Sequence, residues 1–201
     1  MRLGVVLAVL GCVLALAQLD SANLDISAEE AELEFGTRSG TYHNFVVTDR
    51  DGGVVVRGAL LQFQEETQLA TAQGNVELFG PQGVRMLAAS AVIDFRAQLV
   101  LATGGVQLVW NITTGAIRAG ALALQLDLNR QRASACGQAV VQSAGFAASA
   151  QQMVLDILGR QLLLEGDAQA SAAGGTLRAP RILSRLDEQG QLQESVVNPG
   201  Q

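Results

Sequence analysis

The 201-residue sequence predicts an all-β domain of stacked two-strand repeats, on three observations. The first is a spacing written four times. An acidic or amide residue precedes a glycine by ten positions at Gln64 and Gly74, Asp94 and Gly104, Asp127 and Gly137, and Asp156 and Gly166. An apolar residue stands ten positions earlier each time: Val54, Val84, Ile117 and Phe146. The glycines recur at intervals of 30, 33 and 29 residues, within the range of stacked supersecondary units. The second observation is a period of two. Ala72, Gly74, Val76 and Leu78 share one phase, as do Ala102, Gly104, Val106 and Leu108. Such alternation turns one face of a pleated strand to a core and the other outward. The third is that no useful length of chain beyond the N-terminal segment carries the 3.6-residue period of a helix.

Taken in order, residues 1–17 read as a signal peptide. Arg2 is the positive region, residues 3–14 the apolar region, and Ala15-Leu16-Ala17 the small-x-small cleavage site. An uncleaved membrane anchor and lipidation at Cys12 are the alternatives. In every case the chain is exported, which predicts a periplasmic location. Residues 18–186 read as a single β-repeat domain, and 187–201 as a flexible C-terminal tail. Acids crowd the beginning, where Ala31 to Phe35 alternates like a strand and Tyr42 to Thr48 is rich in β formers, giving a degenerate first repeat. The repeats follow, each two strands joined by a short polar turn such as Arg96-Ala97-Gln98. Their glycines mark bulges or close backbone approach. Ala144 to Met153 is alanine-rich, but its register against neighbouring repeats favours strand. Thr176 to Leu186, interrupted by Pro180, suits an edge strand. About twelve strands are expected.

Few chemical functions survive this inventory. The chain contains no lysine, and without Arg2 its formal charge is −7. That balance argues against nucleic acid, and against adhesion to an anionic membrane by simple charge. Without Cys12 only Cys136 remains, so no intrachain disulfide forms; it reads as a small filler in an alternating strand. His43 is the only histidine and reads as a surface residue, with no ligand cluster around it. Asp94, Asp127 and Asp156 read as turn-initiating residues that bond their own backbone, not as a ladder of acids or metal ligands. Trp110 extends an inward phase and reads as core. Neither a catalytic residue, a metal site nor a cofactor is expected, so the chain reads as non-enzymatic. A carbohydrate-active β-solenoid would need an aromatic, acidic groove, and only 4% of residues are aromatic.

The Ala-x-Gly-x-Val-x-Leu segments 72–78 and 102–108, with the Ala-x-x-h-x-h-Asp segments 88–94 and 121–127 (h, apolar), resemble the OstA/LptA-like family of lipopolysaccharide transport. The resemblance extends over roughly residues 24–183. It implies a folded-over antiparallel β-jellyroll, or β-taco, that carries acyl chains in its slot. It also implies lipopolysaccharide or another acylated envelope lipid as ligand, and pairing with other jellyroll transport proteins through edge strands. The groove-lining candidates are Val76, Leu78, Ile93, Phe95, Val106, Leu108, Leu124, Leu126, Met153 and Leu155. Opposite charge at the two ends suggests head-to-tail self-association, with Glu32 and Glu34 at one edge and Arg178, Arg181 and Arg185 at the other. The alternative function is a structural or adaptor β-solenoid of the envelope, with a dry core and edge-mediated assembly.

Overall fold

The computed structural model describes residues 19–21, 23–34, 36–112 and 115–198. The expected signal peptide, 1–17, lies outside them. The protein is all-β. Fourteen strands run in order: β1 (Leu19–Ser21), β2 (Leu24–Ser27), β3 (Glu30–Glu34), β4 (Ser39–Asp49), β5 (Val54–Gln64), β6 (Leu69–Phe79), β7 (Val84–Asp94), β8 (Leu99–Ile112), β9 (Gly115–Asp127), β10 (Arg132–Gln142), β11 (Phe146–Asp156), β12 (Gln161–Ala172), β13 (Gly175–Leu186) and β14 (Leu192–Asn198). One 3₁₀ turn, Pro81–Gly83, joins β6 to β7. All strands belong to one antiparallel sheet in which sequence neighbours pair, except that β2 and β3 share the free edge of β4.

The turn aspartates act as the residue types suggest. Asp94, Asp127 and Asp156 each accept from the backbone N–H three residues on, at 2.7, 2.8 and 2.7 Å. This caps the turn locally and fixes hairpin register. The turns also bond one another. Gln68, Gln98, Gln131 and Arg160 sit at positive φ, which swings each carbonyl toward the next turn. There they accept from Phe95, Leu128, Ile157 and Leu186 N–H at 2.8–3.1 Å. The repeat is thus stitched at its turns as well as along its strands.

The marker glycines are bulges. Register shifts fall between Gln73 and Val76, Thr103 and Val106, Cys136 and Ala139, and Glu165 and Ala168, each spanning one of them. At Gly104, φ is +84° and a Cβ would stand 2.6 Å from the Ala89 Cβ, so both backbone conformation and space require glycine. A bulge at the middle of every second strand bends the sheet along one line into two leaves. We call the leaf bearing the turns after β5, β7, β9, β11 and β13 the lower leaf, and the other the upper leaf.

Because the sheet is folded, its single inner face packs on itself. One buried apolar cluster runs from Leu24 to Leu186. Each of β5 to β12 contributes two or more side chains to it on either side of the bend. At roughly 25 cal/mol per Å² of apolar area removed from water, this burial is the main force closing the fold.

Three expectations are corrected. The tail is not wholly free: residues 192–198 form β14, paired with β13 from Arg181↔Asn198 to Leu186↔Leu192. The short, polar Leu192-Gln-Glu-Ser-Val-Val segment has weak strand signal, and the open edge of β13 supplies its ladder. Consequently Arg181 and Arg185 do not stand at a free edge; Arg181 also bridges to Glu165 at 3.2 Å. Cys136 is exposed on the outer face rather than filling the core, because Ala133 and Ala135 take the inward phase beside it. His43 is exposed and Trp110 packs against the core, as expected.

Candidate functional site: an apolar interior and its seam

All ten groove candidates fall on the inner face. Val76, Leu78, Val106 and Leu108 lie in the upper leaf, and Ile93, Phe95, Leu124, Leu126, Met153 and Leu155 in the lower. Their exposure is 0–6%. In the glycine-bearing strands the inward phase runs unbroken through the bulge, whereas in β5, β7, β9 and β11 it shifts by one residue at the bend, so each leaf carries its own period-two run. Phe63 and Phe95 meet edge to face, centroids 6.4 Å apart, near the turn end of the lower leaf.

The interior is bounded by a seam where the strand ends of the two leaves meet. Among the described residues no strand ladder joins the leaves there; side chains and short contacts close it. At the first level Gln98 Nε2 donates to Asp49 Oδ2 at 2.6 Å and to the Phe95 carbonyl at 2.8 Å. Asp49 is 3% exposed, and its Oδ1 caps its own turn through Asp51 and Gly52 N–H, both 3.1 Å. One carboxylate therefore ends the upper-leaf turn and latches the lower leaf. At the next level Leu128 Cδ2 lies 3.4 Å from where a Gly80 Cβ would stand. Gln131 occupies the turn position that Gln98 fills one repeat earlier, but its buried Oε1 has no partner. Farther on, Ser143 Oγ donates to the Gly190 carbonyl at 2.8 Å. Sequence reading missed Asp49 and Gln98 because they are 49 residues apart and belong to different repeats.

The interior has two ends. At the N-terminal end a recess of about 390 Å³ lies among Leu33, Arg38, Gly40, Tyr42, Phe63 and Glu65. The Tyr42 ring covers Gly40, where a Cβ would clash with it at 2.7 Å. Burial, with the Glu65 charge, raises the Tyr42 hydroxyl above its usual pKa. At the C-terminal end β14 pairs with residues 181–186 of β13, and among the described residues the 175–180 half of that strand has no outer neighbour. There Leu177 and Ala179 are half-buried against the core, beside an open depression of about 710 Å³. The Leu177-x-Ala179 alternation was legible in sequence, but nothing marked it as the end of the interior.

Of the edge residues, Glu32 and Glu34 are exposed on β3, which is the lower-leaf edge. Arg178 is exposed on the uncovered half of β13, in the upper leaf. Arg178 therefore stands on a different leaf from the two glutamates, whereas Arg181 and Arg185 lie on the lower leaf beside β14.

The class this defines is a single antiparallel sheet folded over an apolar interior, with an edge strand at each end of the described residues. Among solved structures, the chain is similar to LptH, the LptA homologous periplasmic component of the conserved lipopolysaccharide transport device from Pseudomonas aeruginosa. Identity is 15% and the TM-score 0.49, with 76% of this chain and 99% of that chain covered. No protein-family model matches the sequence, and no curated protein matches it.

Proposed function

We propose that the chain is an exported, non-enzymatic carrier that shields the acyl chains of an envelope lipid, lipopolysaccharide or a relative, in transit through the periplasm to the outer membrane. The observation that carries this reading is the continuous apolar inner face, bounded by a seam that, among the described residues, no strand ladder closes. The latch is small beside the available driving force. Hydrogen bonds to a charged group contribute about 1.5–3 kcal/mol. An acyl chain gains roughly 0.8 kcal/mol for each CH₂ buried, so four or so methylenes offset one latch. Entry of lipid would part the leaves and replace leaf-to-leaf contacts with leaf-to-lipid contacts. The motif resemblance to the OstA/LptA-like family supports lipopolysaccharide as the lipid class.

The near-zero exposure of the ten inner residues favours a second reading, an envelope scaffold with a permanently dry core. Native mass spectrometry of protein purified from a lipopolysaccharide-producing host separates the two. The carrier should retain an acylated lipid or take up an acyl probe; lipid-free protein that admits no probe would leave the scaffold.

Partners on either reading would add through the edges. The half of β13 that pairs with no described residue beyond it carries Arg178 and is the candidate edge on the upper leaf. Arg178→Glu should therefore weaken head-to-tail self-association more than Arg181→Glu, in sedimentation at low salt.

A further inference from the structure

The net charge conceals a segregation. Thirteen of the nineteen acids lie on the lower leaf and its turns. On the upper leaf Asp49 is buried in the latch, and Asp25 pairs with Arg50 at 3.6 Å. The outer face between these strand ends is different in kind. Strand register puts Phe79 opposite Arg85, Arg85 opposite Val109, and Val109 opposite Arg118. One row over, Val46 faces Arg57, and Arg57 faces Glu77.

Glu77 is the acid of this central patch, and it is roofed by its partners at 8% exposure. Arg57 donates to one of its oxygens and Arg85 to the other. Both guanidinium groups also lie over the Phe79 ring, at 5.0 and 5.4 Å from its centroid. Glu77 thus holds two arginines in fixed positions without cancelling both charges. Their side chains remain about half exposed, with further N–H donors directed elsewhere. Arg118 is exposed, and no acid is paired with it among the described residues. It stands two strands from Arg85, roughly 10 Å by strand spacing. Apolar side chains are exposed on the same face, Val46 at 37% and Val140 at 46%.

We propose that this face docks on the surface of an anionic phospholipid bilayer. Spaced guanidinium groups meet lipid phosphates with charge-assisted hydrogen bonds, and short apolar side chains between them reach the headgroup boundary. The acidic lower leaf faces away, so a chain of net negative charge approaches an anionic surface in one orientation. The β1 strand, which follows the apolar N-terminal stretch in sequence, belongs to the same leaf. The docking is independent of what the interior holds.

The test is vesicle flotation of the full chain as processed by its host, at low salt, with pure phosphatidylcholine vesicles and vesicles containing 30 mol% phosphatidylglycerol (a proportion of about that order suffices to give a negative surface). Neutral vesicles report any contribution of a retained N-terminal stretch. The anionic vesicles should bind more protein, and salt should remove the difference. Arg118→Glu should lower anionic partitioning about thirty-fold, since it changes two charge units at about 1 kcal/mol each. Arg132→Glu makes the same change on the lower leaf and should leave binding within about twofold. Arg118 has no acid paired with it among the described residues, and Arg132→Glu sets a third acid opposite Asp127 and Asp156, so circular dichroism checks that both variants are folded before binding is compared. Equal binding to the two vesicle types, or equal loss in the two variants, overturns the proposal.

Discussion

Replacing Gln98 by alanine tests the seam directly. The amide bridges two leaves by donating to Asp49 Oδ2 at 2.6 Å, and it ties its own turn through the Phe95 carbonyl. Removing it leaves Oδ2 of a 3%-exposed carboxylate without that donor, while Oδ1 keeps its two turn N–H groups. Loss of a hydrogen bond to a charged acceptor costs about 1.5–3 kcal/mol when water cannot replace the donor. Part of this is recovered if the leaves separate enough to hydrate Asp49. The expected destabilisation is therefore about 2 kcal/mol, or roughly 4–8 °C in Tm for a chain of this size. Gln131→Ala is the internal control: it occupies the same turn position one repeat on, but its Oε1 has no partner. That change should cost less than about 1 kcal/mol. Thermal unfolding by circular dichroism gives the stabilities, and stopped-flow uptake of an acyl fluorophore gives the opening rate. If the seam admits lipid, Gln98→Ala should also take up probe several-fold faster than Gln131→Ala. Equal Tm values for the two variants would refute the latch. A lower Tm with unchanged uptake would retain the latch but remove the seam as the port.

Three further outcomes can be measured on the same protein. Leu177→Gln alters a half-buried residue at the C-terminal end of the interior; it should weaken acyl-probe binding while moving Tm by less than about 4 °C, whereas Leu126→Asp, at 1% exposure, should prevent stable folding. Gly104→Ala combines a positive φ with a 2.6 Å approach to Ala89 and should cost about 2–4 kcal/mol, whereas Gly105→Ala meets nothing within 4 Å and should cost only the strain of its φ, about 1–2 kcal/mol, in denaturant melts. Burial opposes ionisation of Glu77, but hydrogen bonds and charge from Arg85 and Arg57 outweigh it and lower its pKa below 4.5. Its stabilisation is therefore present above about pH 4.5 and fades as pH falls through the lowered value, so the stability gap between wild type and Glu77→Gln should close in acid; a gap independent of pH would remove the ion-paired role.

What the sequence determined by itself was local and repetitive. The period of two placed Leu124, Leu126, Met153 and Leu155 on one face, because a pleated strand converts alternation into facing without reference to the rest of the chain. Asp94, Asp127 and Asp156 were legible as turn residues, since each bonds a backbone N–H three positions away. The glycines were legible as bulges because only they fit both the conformation and the space. Tertiary structure decided whatever depends on how far the sheet folds over. The fold brings Asp49 to Gln98 across repeats, a pairing that no local period encodes. It gives Leu192–Asn198 a ladder that its composition does not demand, which moves Arg181 and Arg185 away from the edge and leaves Arg178 there. It also sorts a uniformly acidic composition into an acidic leaf and one whose outer face carries Arg57, Arg85 and Arg118. Charge counts are sums over a chain, whereas a surface potential depends on which residues the bend places side by side.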